Sequence, residues 1–421
     1  MDCEAEWQFE KYAWQGTVAL TFDMDESITV GACCDNLVVQ TGLYWVAETG
    51  SDVSGDGTYA NPWATLAYAC TQATTPGDVI HVKAGTITET VQSNLAVGVS
   101  IIGAGVTSII LSHVDGTRGP GGITGPTISL QSTTQGTDGN QSISYIKMDG
   151  DGLIGDIGIY VKYRNNVKIH HCTIEDFYIS GIIYQGGSAS NVEPTTYMTD
   201  GEIHNCTITN CGDEAGTWNG GGALNISGTD GFLVYDNVIT NIARTAGVNG
   251  NIMNGGYYNK GLKYYRNKSY KPDDNTQWNF HIEHWDAVGG IEIYDNEFYG
   301  GNVALDIAGH FNVKGSYDYA WSVHNNLFTT YSGGYATATS DKECVLVEGP
   351  DNEDIYIYRN LFEKIPCPLS IKCRVVGIAS NIRAYYNIMS NCGINSAANF
   401  SNLFRIALTV ESPIVFSDIY T

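Results

Sequence analysis

The chain has 421 residues, with 49 Gly and 27 Tyr, and its 45 Asp and Glu outnumber its 21 Lys and Arg. The formal net charge of −24 argues against nucleic acid as a partner, because nucleic-acid binding needs a basic surface. The charge also argues against a polyanionic substrate unless bound cations screen the repulsion. No run of about 18 apolar residues occurs, so the sequence predicts no membrane span.

Residues 1–43 lack the repeat that organises the rest of the chain, and we interpret them as an attachment segment or an N-terminal cap. The start, MDCEAEWQFEKY, is acidic and lacks the charged-then-apolar pattern of a signal peptide. We expect an extracellular or virion-associated protein. It would reach that location after loss of a signal peptide or by another route, such as a virus particle released by lysis.

The stretch 44–112 has features of a capped first coil. Pro62 stands at a predicted helix start, and an apolar helical face follows, made by Leu66, Ala69, Cys70 and Ala73. A short helix here would cover the open end of the first coil, where unpaired backbone groups otherwise invite aggregation.

A second pattern runs through the same stretch. Its residues are Gly50-Ser51-Asp52, Gly57-Thr58, Pro62, Thr65-Leu66, Ala69, Pro76-Gly77-Asp78, Ile80, Val82, Gly85 and Glu89. The pattern resembles the opening of secreted and viral right-handed β-helix proteins of the pectate-lyase-like class, although Thr86-Ile87 stands where an aromatic is usual. The resemblance implies a β-helix over 44–400. The class includes polysaccharide lyases, glycoside hydrolases, phage tailspikes and non-enzymatic surface proteins, so it does not choose an activity.

A strand-like phrase recurs from NVKIHHCTIEDF at 166–177 to NIRAYYNIMSNC at 381–392. Its alignment places one column of small polar residues in register: Cys172, Cys206, Asn237, Asn267, Asn296, Asn326, Asn360 and Asn387. The period near 30 residues and the alternation of apolar and polar residues indicate stacked strands. No helix-length apolar pattern lies between them. Together with the resemblance described above, which implies the right-handed form, this predicts an all-β, single-stranded right-handed parallel β-helix (a solenoid) of about a dozen coils with a short N-terminal capping helix.

The column itself has a structural interpretation. An Asn at a turn inside the coil can bond its side-chain amide to the next Asn of the stack, and buried amides persist only when paired in this way. Cys172 and Cys206 would take the first two places as small buried residues. The 11 Cys include no CxxC pair, so we expect mainly reduced, structural thiols and no zinc site.

A second strand per period is predicted at 223–228, 280–285, 304–309, 344–349 and 368–373. Stacking the apolar pairs Phe280/Ile282 and Leu305/Ile307 sends the alternating residues outward. One predicted outward row is Asn225, His281, Asp306, Leu346 and Ser370. The row beside it is Ser227, Glu283, Ala308, Glu348 and Lys372. One face of the solenoid thus collects several titratable side chains.

Glu283 and Asp306 are the predicted acid/base pair of a glycoside hydrolase, with His281 orienting Asp306. As diagonal neighbours they would lie about 7–8 Å apart, which suits the separation of about 6.5–9.5 Å in an inverting glycosidase. Substrate contacts are predicted for Trp285, Trp218, Glu348, Lys372 and Asn225, since aromatic rings stack on sugars and polar groups bond hydroxyls. The alternative is an ordinary solvated face of an acidic protein.

A secreted Ca²⁺-dependent polysaccharide lyase is a further alternative. It needs a cation on the uronate carboxylate and a basic residue to take the ring proton, for which Lys372 and Arg244 are candidates. Acid-rich loops offer oxygen ligands at Asp149 and Asp151, at Asp213-Glu214 and at Asp273-Asp274. No other cofactor is expected, and no residue is assigned as a metal ligand.

Residues 401–421 drop the Asn column, so we predict end strands that need a cap or a partner. By resemblance to tailspikes we expect a homo-oligomer, a trimer, assembled through this end and through 1–43. The leading hypothesis is a tailspike-like protein that binds and hydrolyses a polysaccharide. The non-enzymatic alternative is a structural or decoration protein of a virus particle or cell surface.

Overall fold

A computed structural model describes residues 42–116, 125–212, 222–240, 251–271, 280–301, 303–329, 343–373, 379–392 and 404–408. Several predictions fall outside these residues: those for 1–41, Trp218, Arg244, Asp213-Glu214, Asp273-Asp274 and 409–421. The proposed attachment and assembly contacts therefore stay predictions.

In the described part of the chain, each coil contributes strands to three parallel sheets, A, B and C, which the chain meets in that order. Sheet A comprises Leu43–Val46, Val79–Val82, Ser100–Gly103, Thr137–Ser144, Arg164–His170, Glu202–His204, Leu233–Tyr235, Lys263–Tyr265, Ile291–Tyr294, Trp321–His324, Asp351–Tyr358 and Ala379–Tyr385. Sheet B comprises Gly85–Glu89, Ser108–Ser112, Lys147–Asp149, Thr173–Glu175, Thr207–Thr209, Val238–Thr240, Lys268–Tyr270, Glu297–Tyr299, Leu327–Thr329, Leu361–Glu363 and Ile388–Ser390.

Sheet C comprises Ser93–Asn94, Pro126–Gln131, Ile157–Lys162, Ser180–Gln185, Gly222–Ser227, Asn251–Tyr257, Phe280–Ala287, Val303–Asn312, Glu343–Glu348, Cys367–Cys373 and Phe404–Leu408. A further pair, Met198–Thr199 and Thr229–Asp230, lies outside these sheets. Each strand pairs with its equivalent one coil further on, about 4.8 Å away. The predicted right-handed parallel β-helix is confirmed.

Each repeated phrase contains two strands rather than one, because a left-handed residue bends the chain between sheets A and B. Asp236, with φ of 55°, follows the sheet A strand Leu233–Tyr235. Asn237 comes next, and the sheet B strand Val238–Thr240 begins directly after it. The sequence therefore predicted two of the three strands of each coil.

The predicted Asn column is a hydrogen-bonded ladder at this turn. Asn296 shows the repeating pattern: its Oδ1 accepts from the backbone N–H and the amide of Asn267, and its Nδ2 donates to Asn326 Oδ1 at 2.9 Å and to Tyr264 O at 2.9 Å. The ladder continues to Asn387. At the other end, Cys206 takes the position one coil before Asn237, and its backbone N–H donates to Asn237 Oδ1 at 2.9 Å. These bonds satisfy buried polar groups that would otherwise destabilise the interior.

The apolar interior lies between the three sheets and is built from stacked equivalent residues. Phe298, Phe328 and Phe362 are almost fully buried, with successive ring centroids 5.0 Å apart. Burying each such side chain contributes about 1.5–3 kcal/mol. The stack makes the interior continuous from coil to coil.

The predicted capping helix is present as Leu66–Gln72, and it packs against the first strands of all three sheets. Its N-cap is Thr65, so Pro62 lies in the preceding loop rather than at the helix start, which corrects the predicted boundary. Glu89 anchors the first turn, because its carboxylate accepts from the backbone N–H of Leu66 at 2.6 Å and of Ala67 at 3.2 Å. Among the described residues, no helix has the length and apolar character needed to cross a membrane.

Candidate functional site

The strand Phe280–Ala287 lies two residues out of the predicted register in sheet C. Ile282 pairs with Leu305, and Glu283 pairs with Asp306, whereas the apolar alternation predicts Phe280 beside Leu305. Glu283 and Asp306 are therefore direct neighbours across one coil step, about 4.8 Å apart at the backbone, and not diagonal neighbours. Ile282, Leu305 and Ile307 belong to the interior, so the two carboxylates project outward.

The alternation fails because the first residues of each sheet C strand sit at a corner. Ala304 and Leu305 are consecutive, and both belong to the interior cluster. The residue before them, Val303, instead packs with Phe280 and Leu346 in a separate apolar cluster. A regular strand has one inward residue in every two, and this alternation alone predicts that Phe280 points into the interior.

His281 does not contact Asp306 as predicted. Its ring lies edge-on to the core residue Phe298 at 5.3 Å, and its Nε2 hydrogen-bonds to Gly300 O at 3.0 Å. Complete burial lowers the pKa of His281 to about 3, so the imidazole is neutral. His281 therefore supports the corner from the inside and cannot orient the carboxylate on the outer face.

Glu283 is a buried carboxyl group held by two donors. Trp285 Nε1–H donates to its Oε1 at 3.0 Å, and Asn251 Nδ2 donates to its Oε2 at 3.3 Å. The residue is only 6% exposed. Desolvation, with a smaller contribution from the charge of Glu348, raises the pKa of Glu283 to about 7, although the Trp285 hydrogen bond opposes the shift. A carboxyl group in this environment can hold a proton near neutral pH.

Asp306 completes a cross-strand carboxyl pair and is 1% exposed. The next strand places Leu346 beside Asp306, and two residues further on it carries Glu348. Glu348 is thus diagonal to Asp306 and acts on Glu283 through its charge. The outer face of sheet C brings together the three carboxyl groups that the sequence had assigned to it, in a different order.

An aromatic cluster adjoins the carboxyl pair at the ends of the sheet C strands. The rings of Trp285 and Tyr257 lie 5.9 Å apart, and those of Tyr258 and Phe311 lie 6.1 Å apart. Because Trp285 also bonds Glu283, this cluster forms a surface that is joined directly to the buried carboxyl pair. His310, largely exposed, extends this surface and has its ring Nδ1 3.4 Å from Asp286 Oδ2.

Two further predicted residues lie on the same outer face. Asn225 is 3% exposed, and its Oδ1 accepts no hydrogen bond from the described residues. Lys372 forms an ion pair with Glu343, a buried carboxylate that also accepts from Ser370 Oγ at 3.1 Å. The Asn225 Oδ1 atom is thus buried without a donor among the described residues, whereas the charge of Lys372 is engaged by Glu343.

Of the predicted calcium loops, the one that lies among the described residues, with Asp149 and Asp151, follows sheet B and not this face. Within the described ranges, the acidic group whose ligand atoms all lie within 4.8 Å is Asp149, Glu175 and Asp176, at sheet B. The ammonium group of Lys147 already lies there, 3.3 Å from Asp149 and 2.7 Å from Glu175. Asp151 is not a member of this group and bonds His113 at 2.7 Å instead.

Sequence reasoning missed Asn251 and Glu343, which start sheet C strands. In each strand the next two residues both point into the interior, so the residue before them lies on the outer face. Val303 occupies the equivalent position in its own strand. Asn251 holds Phe280 N–H at 3.0 Å as well as Glu283, so it links the corner to the carboxyl pair. Aligning the sheet C strands on their shared inward residues would have identified Asn251 and Glu343. Those inward residues are Leu224, Met253, Ile282 and Leu305.

Solved structures with the same fold share little sequence with this chain. GH136 lacto-N-biosidase from Eubacterium ramulus is 12% identical with a TM-score of 0.52, over 83% of this chain and 68% of that chain. XylC, solved in complex with xylose, is 12% identical with a TM-score of 0.51, over 83% and 86%. This likeness shows the fold alone, a parallel β-helix. No protein-family model matches the sequence, and no curated protein matches it.

Proposed function

We propose that the outer face of sheet C binds a glycan and hydrolyses a glycosidic bond, with Glu283 as the general acid and Asp306 as the second carboxylate. The observation that carries this proposal is the direct cross-strand pairing of Glu283 with Asp306. Two carboxyl groups in different environments are the minimum that glycoside hydrolysis requires, because one must be protonated while the other is ionised.

The proposed reaction assigns one role to each group. The Glu283 carboxylic acid gives its proton to the glycosidic oxygen as the bond to the anomeric carbon breaks. The Asp306 carboxylate attacks that carbon and forms a glycosyl ester. Glu283, now a carboxylate, takes a proton from water, and the water oxygen displaces Asp306. Trp285 and Asn251 keep the Glu283 carboxyl group in place throughout.

The observed register favours retention of anomeric configuration over inversion. Retaining enzymes hold their carboxyl groups about 5–5.5 Å apart, and inverting enzymes hold them about 6.5–9.5 Å apart. Residues paired across one coil step are about 4.8 Å apart at the backbone, whereas the diagonal arrangement expected from the sequence was wider. We therefore propose a retaining mechanism in place of the predicted inverting one.

The charge of the face supports an uncharged glycan as the substrate. Glu283, Asp306 and Glu348 lie close together, and Lys372 is ion-paired with Glu343. A uronate carboxylate would meet repulsion here. The rings of Trp285 and Tyr257 offer apolar faces for sugars, and Asn225 offers an acceptor for a hydroxyl. The names of the two structural neighbours, a lacto-N-biosidase and a protein bound to xylose, are consistent with a sugar ligand.

The test is hydrolysis of a panel of neutral polysaccharides, such as xylan and galactan, beside alginate and polygalacturonate. We expect release of reducing ends from a neutral member. Glu283→Gln and Asp306→Asn should each lower kcat at least about 100-fold, as expected for loss of an acid or nucleophile. Glu297→Gln, on sheet B, is the matched control and should keep full activity.

Product analysis decides the mechanism. Proton NMR of the first product released should show the same anomeric configuration as the glycosidic bond that was cleaved, as a retaining mechanism requires. Unsaturated products from a uronate polymer would replace the hydrolase with the lyase alternative. Full activity of Asp306→Asn would exclude the proposed pair, and absence of both cleavage and binding for every polysaccharide would favour a structural protein.

A further inference from the structure

Three of the nine histidines meet where one turn between sheets A and B, with His170 and His171, is followed by the equivalent turn of the next coil, with His204. The rings of His170 and His204 stack with centroids 4.9 Å apart, and the ring of His171 lies 5.8 Å from that of His204. This turn belongs to the earlier coils of the solenoid and contains none of the carboxyl groups of sheet C. The equivalent turns that follow carry His-Asn, Tyr-Asp, Tyr-Arg or Tyr-Tyr, so the His-His pair is particular to this coil among the described ones.

Consecutive residues of a strand normally point to opposite sides, yet these two imidazoles face each other. His171 adopts a left-handed conformation with φ of 54°, which turns its ring back toward His170. The two Nδ1 atoms are 3.0 Å apart. Tyr145 stacks on the ring of His171 at 4.8 Å with an interplanar angle of 20°, so the ring is supported in this orientation.

We propose that His170 and His171 form a bidentate site for a late first-row transition-metal ion, Cu²⁺ or Ni²⁺, bound through both Nδ1 atoms. Imidazole nitrogens bind such ions at about 2.0–2.1 Å, and two ligands at a right angle are then about 2.8–3.0 Å apart. The observed 3.0 Å agrees with adjacent positions of a square-planar or octahedral ion. Tetrahedral ligands would be about 3.3 Å apart, so the pair fits Cu²⁺ and Ni²⁺ better than Zn²⁺.

The site is open to solvent. His171 is exposed, so an ion can reach the two Nδ1 atoms from outside, and His170 is half-buried beside it. His204 Nδ1 faces Asn205 Oδ1 at 2.8 Å and its Nε2 lies 4.0 Å from Glu202 Oε2, so His204 flanks the site and is not assigned as a ligand.

The test is titration of the whole chain with Cu²⁺ alone, followed by isothermal calorimetry and electron paramagnetic resonance at pH 7.4. We expect one ion per chain with two imidazole nitrogens in its spectrum. His171→Ala and His170→Phe should each weaken binding at least about tenfold; the Phe side chain keeps the ring stack but has no nitrogen. His324→Ala is the matched control, because His324 stacks in the same row of rings with no adjacent imidazole.

Two outcomes would overturn the proposal. One is unchanged Cu²⁺ affinity in both His170→Phe and His171→Ala, which would place the bound ion elsewhere. The other is absence of Cu²⁺ binding at about 1 mM, which would leave the 3.0 Å contact as an N–H···N hydrogen bond only. Thermal unfolding of each variant without metal establishes that the fold is intact before affinities are compared.

Discussion

At the scale of single residues, the outer face of sheet C holds one carboxyl group that prefers its neutral form. Desolvation raises the pKa of Glu283 to about 7, against about 4.5 in the unfolded chain. Trp285 and Asn251 bond its two oxygens without supplying a positive charge. The residue therefore destabilises the folded chain at high pH and supplies an acid near neutral pH, as expected where function opposes stability.

The free energy of unfolding should reveal this opposition. Below pH 4.5 Glu283 is protonated in both states, and as the pH rises toward 7 only the unfolded chain releases the proton. Stability is therefore lost as pH rises through the folded pKa, by about 3 kcal/mol in total. Glu283→Gln keeps the shape without the charge. Its free energy of unfolding, measured with urea, should equal that of the wild type at pH 4 and exceed it by up to about 3 kcal/mol at pH 8.

The same proton should govern activity, so the rate of glycan hydrolysis should fall as pH rises through about 7. Glu297→Gln serves as the control for stability. The Tyr299 hydrogen bond lowers the pKa of Glu297, so its neutralisation should reduce stability at pH 8 rather than increase it. An equal loss of stability at pH 4 and pH 8 in Glu283→Gln would mean that its packing, and not its charge, decides the outcome.

At the scale of elements, the turn between sheets A and B is held by Asn side chains in addition to the backbone hydrogen bonds between coils. Each Asn of the ladder accepts a backbone N–H from the coil before it and donates to a carbonyl of that coil. A chain bend that is repeated in every coil leaves buried backbone groups at the same place each time, and one amide per coil satisfies them.

Asn296→Ala should therefore destabilise the protein by about 2–4 kcal/mol. The substitution leaves the buried Asn267 N–H and Tyr264 carbonyl without their partner, and each such group costs about 1–3 kcal/mol. Thermal or urea unfolding measures the change. Thr207→Ala, at an exposed position of sheet B, should cost less than about 0.5 kcal/mol. Equal effects of the two substitutions would show that the ladder contributes nothing specific.

At the scale of the whole molecule, the solenoid depends on how its first coil is closed. The helix Leu66–Gln72 packs on the first strand of each sheet, and the buried Glu89 carboxyl group holds its N-terminal turn. Asp52 adds a second contact, accepting from the backbone N–H of Ala64 at 2.8 Å. Both acids belong to the opening pattern noted in the sequence, so that pattern encodes a cap and not a reactive group.

Glu89→Ala should lower the melting temperature and increase aggregation on heating. Two buried N–H groups of the helix lose their acceptor, at a cost of about 2–3 kcal/mol, and a loosened helix exposes the edges of the first strands. Differential scanning calorimetry with light scattering measures both effects. Glu89→Gln retains one acceptor oxygen and should lose less. A melting temperature unchanged in Glu89→Ala would show that the helix is held by its apolar face alone.

Much of the fold was predictable because it repeats. The spacing from Asn237 to Asn387 predicted the coils and the ladder, and the face of Leu66, Ala69 and Cys70 predicted the helix. The third strand of each coil was not predicted, because a single left-handed residue such as Asp236 divides what reads as one strand. The candidate site was predicted less well, since Glu283, Asp306 and Glu348 share the face but His281 does not.

The sequence by itself determined the period, the stacking and the cap, because these arise from local patterns that each coil repeats. Only the tertiary structure decided which side chains face one another. Two consecutive inward residues at the corner of sheet C move Glu283 beside Asp306 and turn His281 to the core. A left-handed turn likewise brings His171 to His170. Such contacts depend on how the backbone bends at corners, where the two-residue periodicity of a strand no longer holds.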